Sequence, residues 1–145
     1  MIDTNVKGLL YMTRFIAPLM VERNQGHIIN IGSVAGKEVY PMGTVYCGSK
    51  FAVDAITKGT RIDLVSHNIK VTQIAPGAAN TDFSLGRFKG DKVRADSVYN
   101  GFTPLVAEDI ANVVYYVTTL PAHVNINDLV LMPTAQASAV NFYKK

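Results

Sequence analysis

The sequence predicts an α/β fold in which about three parallel strands, with helices on both faces, form part of a doubly wound sheet. Three observations lead to it. Short apolar runs without polar alternation occur at His27–Ile31, Lys70–Ala75 and Ile126–Met132, the pattern of strands covered on both sides. Between them lie stretches whose apolar residues recur at the three-and-four spacing of helices. Strands joined through helices run parallel, with right-handed crossovers.

Val6, Leu9, Met12, Phe15, Ile16, Leu19 and Met20 form the apolar stripe of a first helix, which Pro18 is expected to kink and Asn24, Gln25 and Gly26 to end. The first strand follows, and Gly32 closes it. A second helix, from about Thr44 to Ser66, is expected to turn Val53, Ile56, Ile62 and Val65 inward and to stop at His67 and Asn68. The second strand ends at Pro76 and Gly77. The polar segment Ala78–Thr103, with Gly86, Gly90 and Gly101, reads as a long loop, and loops of that length generally carry function. Ile110, Val113, Val114 and Val117 mark a third helix, with Glu108 and Asp109 in the first turn, where the helix dipole favours anions. Pro121 ends that helix, Pro133 closes the last strand, and the tail to Lys145 is small and polar.

The 145 residues have the length of one domain, and a hydrophobic content of 48% suffices for a core. The net charge of +3 is spread along the chain with no basic run, which argues against a nucleic-acid partner. A single cysteine, Cys47, forms no intramolecular disulfide, and neither a leader peptide nor a membrane-spanning run is visible. A soluble, cytoplasmic protein with no membrane partner is the expectation. His27, His67 and His123 lack metal-ligand spacing, so no metal is expected. Cys47 reads as a packing residue, and Tyr115 and Tyr116 as core or subunit-contact aromatics.

Tyr46-Cys47-Gly48-Ser49-Lys50 sets a phenol and an ammonium four residues apart, on one helical face. A phenol titrates near about 10, and an adjacent ammonium that favours phenolate would tune it as an acid or base. Alone, such a pair is common on solvated helices. Ser33 lies just past the carboxyl end of a buried strand, where parallel α/β sheets bind ligands, thirteen residues before Tyr46. By itself it would be a turn former. Asn5, in Asn5-Val6-Lys7-Gly8, could be a helix cap, and Pro76-Gly77 ahead of Thr81 could be a turn.

Taken together and in order, Asn5, Ser33, Tyr46, Lys50, Pro76, Gly77 and Thr81 resemble the catalytic half of the short-chain dehydrogenase/reductase family. The likeness runs end to end. Asn5-Val6-Lys7-Gly8-Leu9, Gly26 to Ser33, Val124-Asn125-Ile126-Asn127 and Leu131-Met132-Pro133-Thr134 are similar to the branch of NADP-dependent serine, allo-threonine or 3-hydroxy acid dehydrogenases. The resemblance implies a Rossmann-type fold and hydride transfer between a nicotinamide and a hydroxyl-bearing carbon of a small substrate, with NADP, or NAD, as cofactor. It implies Tyr46 as the proton donor or acceptor and Lys50 as the group that lowers the phenol pKa and binds the nicotinamide ribose. Ser33 would donate to the substrate oxygen, and Asn5 would hold a water in the proton relay. Pro76, Gly77 and Thr81 would lie against the nicotinamide and phosphates. Residues 78–103 would form a substrate lid, in which Arg87, Lys89, Lys92 or Arg94 could pair with a substrate carboxylate, unless they are only surface charge. The two long helices would join copies of the chain in a homo-oligomer.

The sequence departs from this pattern at the front. A glycine-rich turn, the helix that holds the pyrophosphate and the residue that selects NAD or NADP do not appear in it, so the N-terminal nucleotide-binding half is expected to be absent. The first strand is then expected to have an open edge and these 145 residues alone to turn over weakly or not at all. Two readings stand: an NAD(P)-dependent oxidoreductase, and a truncated non-catalytic remnant acting at most as an association partner.

Overall fold

The computed structural model describes residues 1–145. The chain opens on a wide π-helical stretch, Asp3–Gly8, that runs into α1 (Leu9–Arg23). Pro18 sits inside α1 without ending it; Asn24, in the left-handed region at φ 49°, does. β1 (Gly26–Ile31) leads into a one-turn 3₁₀ helix, Val34–Gly36. Next come α2 (Thr44–Leu64), a short 3₁₀ turn closed by left-handed Asn68, and β2 (Ile69–Pro76).

The segment expected to be a loop is more ordered than its glycines suggest. It holds β3 (Ala79–Asn80), α3 (Asp82–Arg87) and α4 (Lys92–Ser97), each helix capped at its start by a side chain, Thr81 or Asp91. β4 (Leu105–Val106) pairs in parallel with β3 and precedes α5 (Ala107–Thr119) and β5 (Asp128–Leu131). Six-residue helices fall below the length at which apolar periodicity shows, so the capping residues were their only sequence signal.

The principal sheet has the order β1-β2-β5, all parallel, as expected of a doubly wound α/β fold. β2 is buried throughout except for Lys70. The outer strands are not covered on both faces: Ile31 and Val130 are 45% and 48% exposed, because each edge strand has one neighbour. On one face, Ala17, Met20 and Val21 of α1 and Leu64 of α2 pack on Ile28, Ile69 and Val71. Lys70, which strand alternation points the other way, donates to the Leu120 carbonyl at the end of α5, so α5 covers the opposite face.

Several apolar residues expected inside lie outside. Ile62 and Val65 are each 73% exposed, and Phe15 is 70% exposed, because α1 turns Ala17, Met20 and Val21 to the core instead. Tyr115 and Tyr116 are exposed on α5 and are not core aromatics. Cys47 is buried, consistent with a packing role. No helix is long and apolar enough to cross a membrane.

Candidate active site

The site forms where the parallel strands end. The Gly32 N–H continues the ladder to the Ile74 carbonyl at 2.7 Å, and the Gly77 N–H does the same to Leu131 at 2.7 Å. The residues just beyond both ends are thereby fixed by the sheet. Ser33 caps the 3₁₀ turn: its Oγ accepts from the Ala35 N–H at 3.1 Å and donates to the Pro76 carbonyl at 3.4 Å. That turn packs closely on α2, and a Cβ added at Gly36 would stand 2.6 Å from the Lys50 carbonyl oxygen. Only glycine permits this approach.

Tyr46 occupies the first turn of α2, and Lys50 follows one turn later. The Lys50 Nζ donates to the Ile31 carbonyl at 3.0 Å and lies 5.9 Å from the centroid of the Tyr46 ring. Phe83 of α3 packs against the same ring, with centroids 5.1 Å apart. Asn5 reaches α2 from the π-helical stretch: its Nδ2 donates to Ser49 Oγ at 3.0 Å, and Ser49 donates to the Tyr46 carbonyl at 2.7 Å.

Ser33, Tyr46, Lys50, Pro76, Gly77 and Thr81 all line one cavity of about 550 Å³. Asn5 does not. It lines a neighbouring cavity of about 400 Å³, and Lys50 and Ile31 form the wall common to both. Six of the seven sequence candidates therefore converge, and the seventh stands behind Lys50.

The electrostatics depart from expectation. Burial pushes the Tyr46 phenol above its ordinary value, opposed by hydrogen bonding from Ser33 and the positive charge of Arg87. The Lys50 ammonium directs one of its donors at the Ile31 carbonyl, and burial lowers its own pKa. Arg87 of α3 adds a positive charge that favours the phenolate.

Of the four basic residues between 78 and 103, Arg87 alone lines the cavity. Its guanidinium stacks 5.4 Å from the Tyr40 ring centroid and reaches the Tyr40 hydroxyl at 3.4 Å. Arg94 lies instead over Phe88, at 4.6 Å. Sequence reasoning missed Tyr40 and the tail residues Gln136, Ala139 and Phe142, all of which line the cavity. Nothing in their spacing marks them, since the tail is held at the site by contacts with Ala78 and Glu38, distant in sequence.

The cavity's walls fit the nicotinamide end of a dinucleotide. Pro76 to Ala79 offers backbone along one side, with no side chain on Gly77. The Thr81 hydroxyl accepts from the Phe83 N–H at 3.3 Å, which leaves its own proton free to donate.

An α/β sheet carrying a serine, a tyrosine and a lysine at the carboxyl ends of its strands defines a class, and sequence comparison agrees: a model of the short chain dehydrogenase family matches residues 1–91. The chain belongs to that family. It is 51% identical over 140 residues to the NADP-dependent 3-hydroxy acid dehydrogenase YdfG of Salmonella typhi, covering 96% of this chain and 56% of the relative. It is 48% identical over 138 residues to sulfoacetaldehyde reductase 2 of Chromohalobacter salexigens, covering 94% and 55%. Among solved structures, the closed form of serine dehydrogenase complexed with NADP+ superposes with a TM-score of 0.94 at 49% identity, covering all of this chain and 59% of that one. The chain thus spans a little over half the length of the curated relatives it matches.

Proposed function

We propose that the protein is an NADP-dependent oxidoreductase that interconverts a small 3-hydroxy acid, such as serine or allo-threonine, and its carbonyl form. A bound nicotinamide would supply or accept the hydride. Tyr46 moves the matching proton at the substrate oxygen. Ser33 donates a hydrogen bond to that oxygen, and a preorganised donor at such a position lowers the barrier by about 3 kcal/mol. An ammonium carries three donors, so Lys50, with one held at Ile31, keeps two for the cofactor ribose and the proton path. Asn5, on the far side of Lys50, continues that path to solvent. Pro76, Gly77 and Thr81 hold the nicotinamide end.

Arg87 supplies the cationic partner for the substrate's carboxylate, through the bidentate contact that arginine makes with carboxylates. The single observation that carries the reading is the cavity shared by the Ser33 hydroxyl, the Tyr46 phenol and the Lys50 side chain at the mouth of a parallel sheet. NADP is favoured over NAD by the names of the relatives.

A homo-oligomer joined through α1 and α2 belongs to the same reading. Exposed Tyr11, Phe15 and Leu19 on α1, with Ile62 on α2, support it. So does a cytoplasmic setting, which suits a lone free cysteine.

The test is a substrate panel on the intact protein: serine, allo-threonine, 3-hydroxypropionate and a hydroxysulfonate, each with NADP+ and NAD+. NADP+ reduction by at least one 3-hydroxy acid is expected. No turnover of any of them would remove the enzymatic reading and leave association as the chain's role.

A further inference from the structure

We infer that Phe142, with Ala139 in the same cavity wall, sets the length of carbon chain the site accepts. This rests on the 3-hydroxy acid reading above. The tail is fastened to three separate segments around the cavity. Gln136 Oε1 accepts from the Ala78 N–H at 2.8 Å, beside Gly77. The Ala139 N–H donates to Glu38 Oε2 at 2.8 Å, in the stretch that follows Ser33. The Lys145 N–H donates to the Gly101 carbonyl at 2.9 Å, beyond α4.

Between these fastenings Phe142 is held in place. Its ring centroid lies 5.2 Å from that of Phe102, which lies 6.5 Å from Tyr99. The Tyr99 hydroxyl in turn donates to the Ala79 carbonyl at 2.8 Å and sits 2.7 Å from Ser84 Oγ of α3. A side chain anchored through that series cannot swing aside to admit a larger substrate. Its aromatic partner is Phe102, whereas Phe83 packs on Tyr46. An apolar wall discriminates sizes by about tenfold or more per methylene. Ala139, a small residue of the same wall, contributes only a methyl group there.

The experiment measures kcat/KM of the intact protein for 3-hydroxypropionate, 3-hydroxybutyrate and 3-hydroxyhexanoate with NADP+, in wild type, Phe142→Ala and Ala139→Leu. Phe142→Ala should raise the hexanoate-to-propionate ratio about tenfold or more, and Ala139→Leu should lower it by a similar factor. Ratios that stay constant in both variants, even if every rate falls together, would overturn the inference. Should Phe142→Ala not fold, Ala139→Leu decides alone. If wild type oxidises none of the three acids and neither serine nor allo-threonine, the function proposed above fails. The relative affinities of the three acids, measured by ligand-observed NMR in the same proteins, then decide the role of Phe142 separately.

Discussion

The Lys50 ammonium donates to the Ile31 carbonyl at 3.0 Å, tying the second turn of α2 to the end of the strand that delivers Ser33. The two halves of the site are thus held in register by one half-buried cation. Beside it, Ser33 and Arg87 both favour a phenolate at Tyr46.

That arrangement makes the pH dependence of oxidation testable. A phenol raised by burial is protonated at neutral pH, ready to donate in the reducing direction. Oxidation needs the phenolate, so kcat/KM for oxidation should rise with pH and level off above the Tyr46 pKa. Ser33 and Arg87 both lower that pKa, and removing either should move the limb to higher pH. A pH profile of Arg87→Leu shifted downward, or not at all, would refute this assignment.

Arg87→Leu should also separate charged from neutral substrates. A hydrogen bond to a charged group contributes roughly 1.5–3 kcal/mol, so KM for a 3-hydroxy acid should rise by about one to two orders of magnitude. A neutral secondary alcohol of the same length should show no such rise. Equal effects on both would deny the guanidinium its role as carboxylate partner.

Gly36→Ala tests the close packing of the serine turn on α2. The new methyl would meet the Lys50 carbonyl oxygen at 2.6 Å, and backbone on both sides leaves no flexible group to yield. Overpacking of this kind costs about 1–3 kcal/mol in stability. Misplacement of Ser33 against Tyr46 by even ~1 Å should reduce kcat about a hundredfold. Thermal unfolding and steady-state kinetics on one preparation check both, and an unaltered kcat would show that the turn's position is not critical.

Lys37 bridges Asp54 of α2 and Asp128 of β5, and Lys58 completes the network on Asp54. Burial raises the Asp54 carboxyl, but the hydrogen bonds and charges of Lys37 and Lys58 outweigh it and hold it below its ordinary value. A carboxyl depressed by folding contributes stability above its unfolded pKa and loses it as pH falls through the folded one, so this contribution should begin to fall near about pH 4 and vanish only below the depressed folded pKa. Lys37→Met should destabilise the fold by about 2 kcal/mol at pH 7, somewhat less than a fully buried pair would lose. Denaturant unfolding at pH 7 and pH 3 should show the gap closing; a gap independent of pH would assign the loss to packing alone.

The parallel sheet and the three long helices were legible because their apolar periods are long and uninterrupted. The catalytic candidates were legible because Tyr46 and Lys50 share a helix face and Ser33 follows a strand. The outward face of α1 was not, since Phe15 and Leu19 satisfy helical spacing whether or not a neighbour covers them. Nor were α3 and α4, too short for a periodic signal, or the choice of Arg87 among four cations, which depends on how α3 is aimed. The tail's place in the cavity was invisible because Gln136 and Phe142 owe it to contacts with Ala78 and Phe102, distant in sequence.

Whether Ser33, Tyr46 and Lys50 act on one reacting carbon is tested most directly with 3-hydroxypropionate deuterated at C3, incubated with NADP+ and the intact protein. Deuterium should appear on the nicotinamide of the reduced cofactor, and Tyr46→Phe should slow its transfer by two to four orders of magnitude, the range for about one general acid–base group. No transfer by wild type, or equal transfer by Tyr46→Phe, would contradict the proposed chemistry.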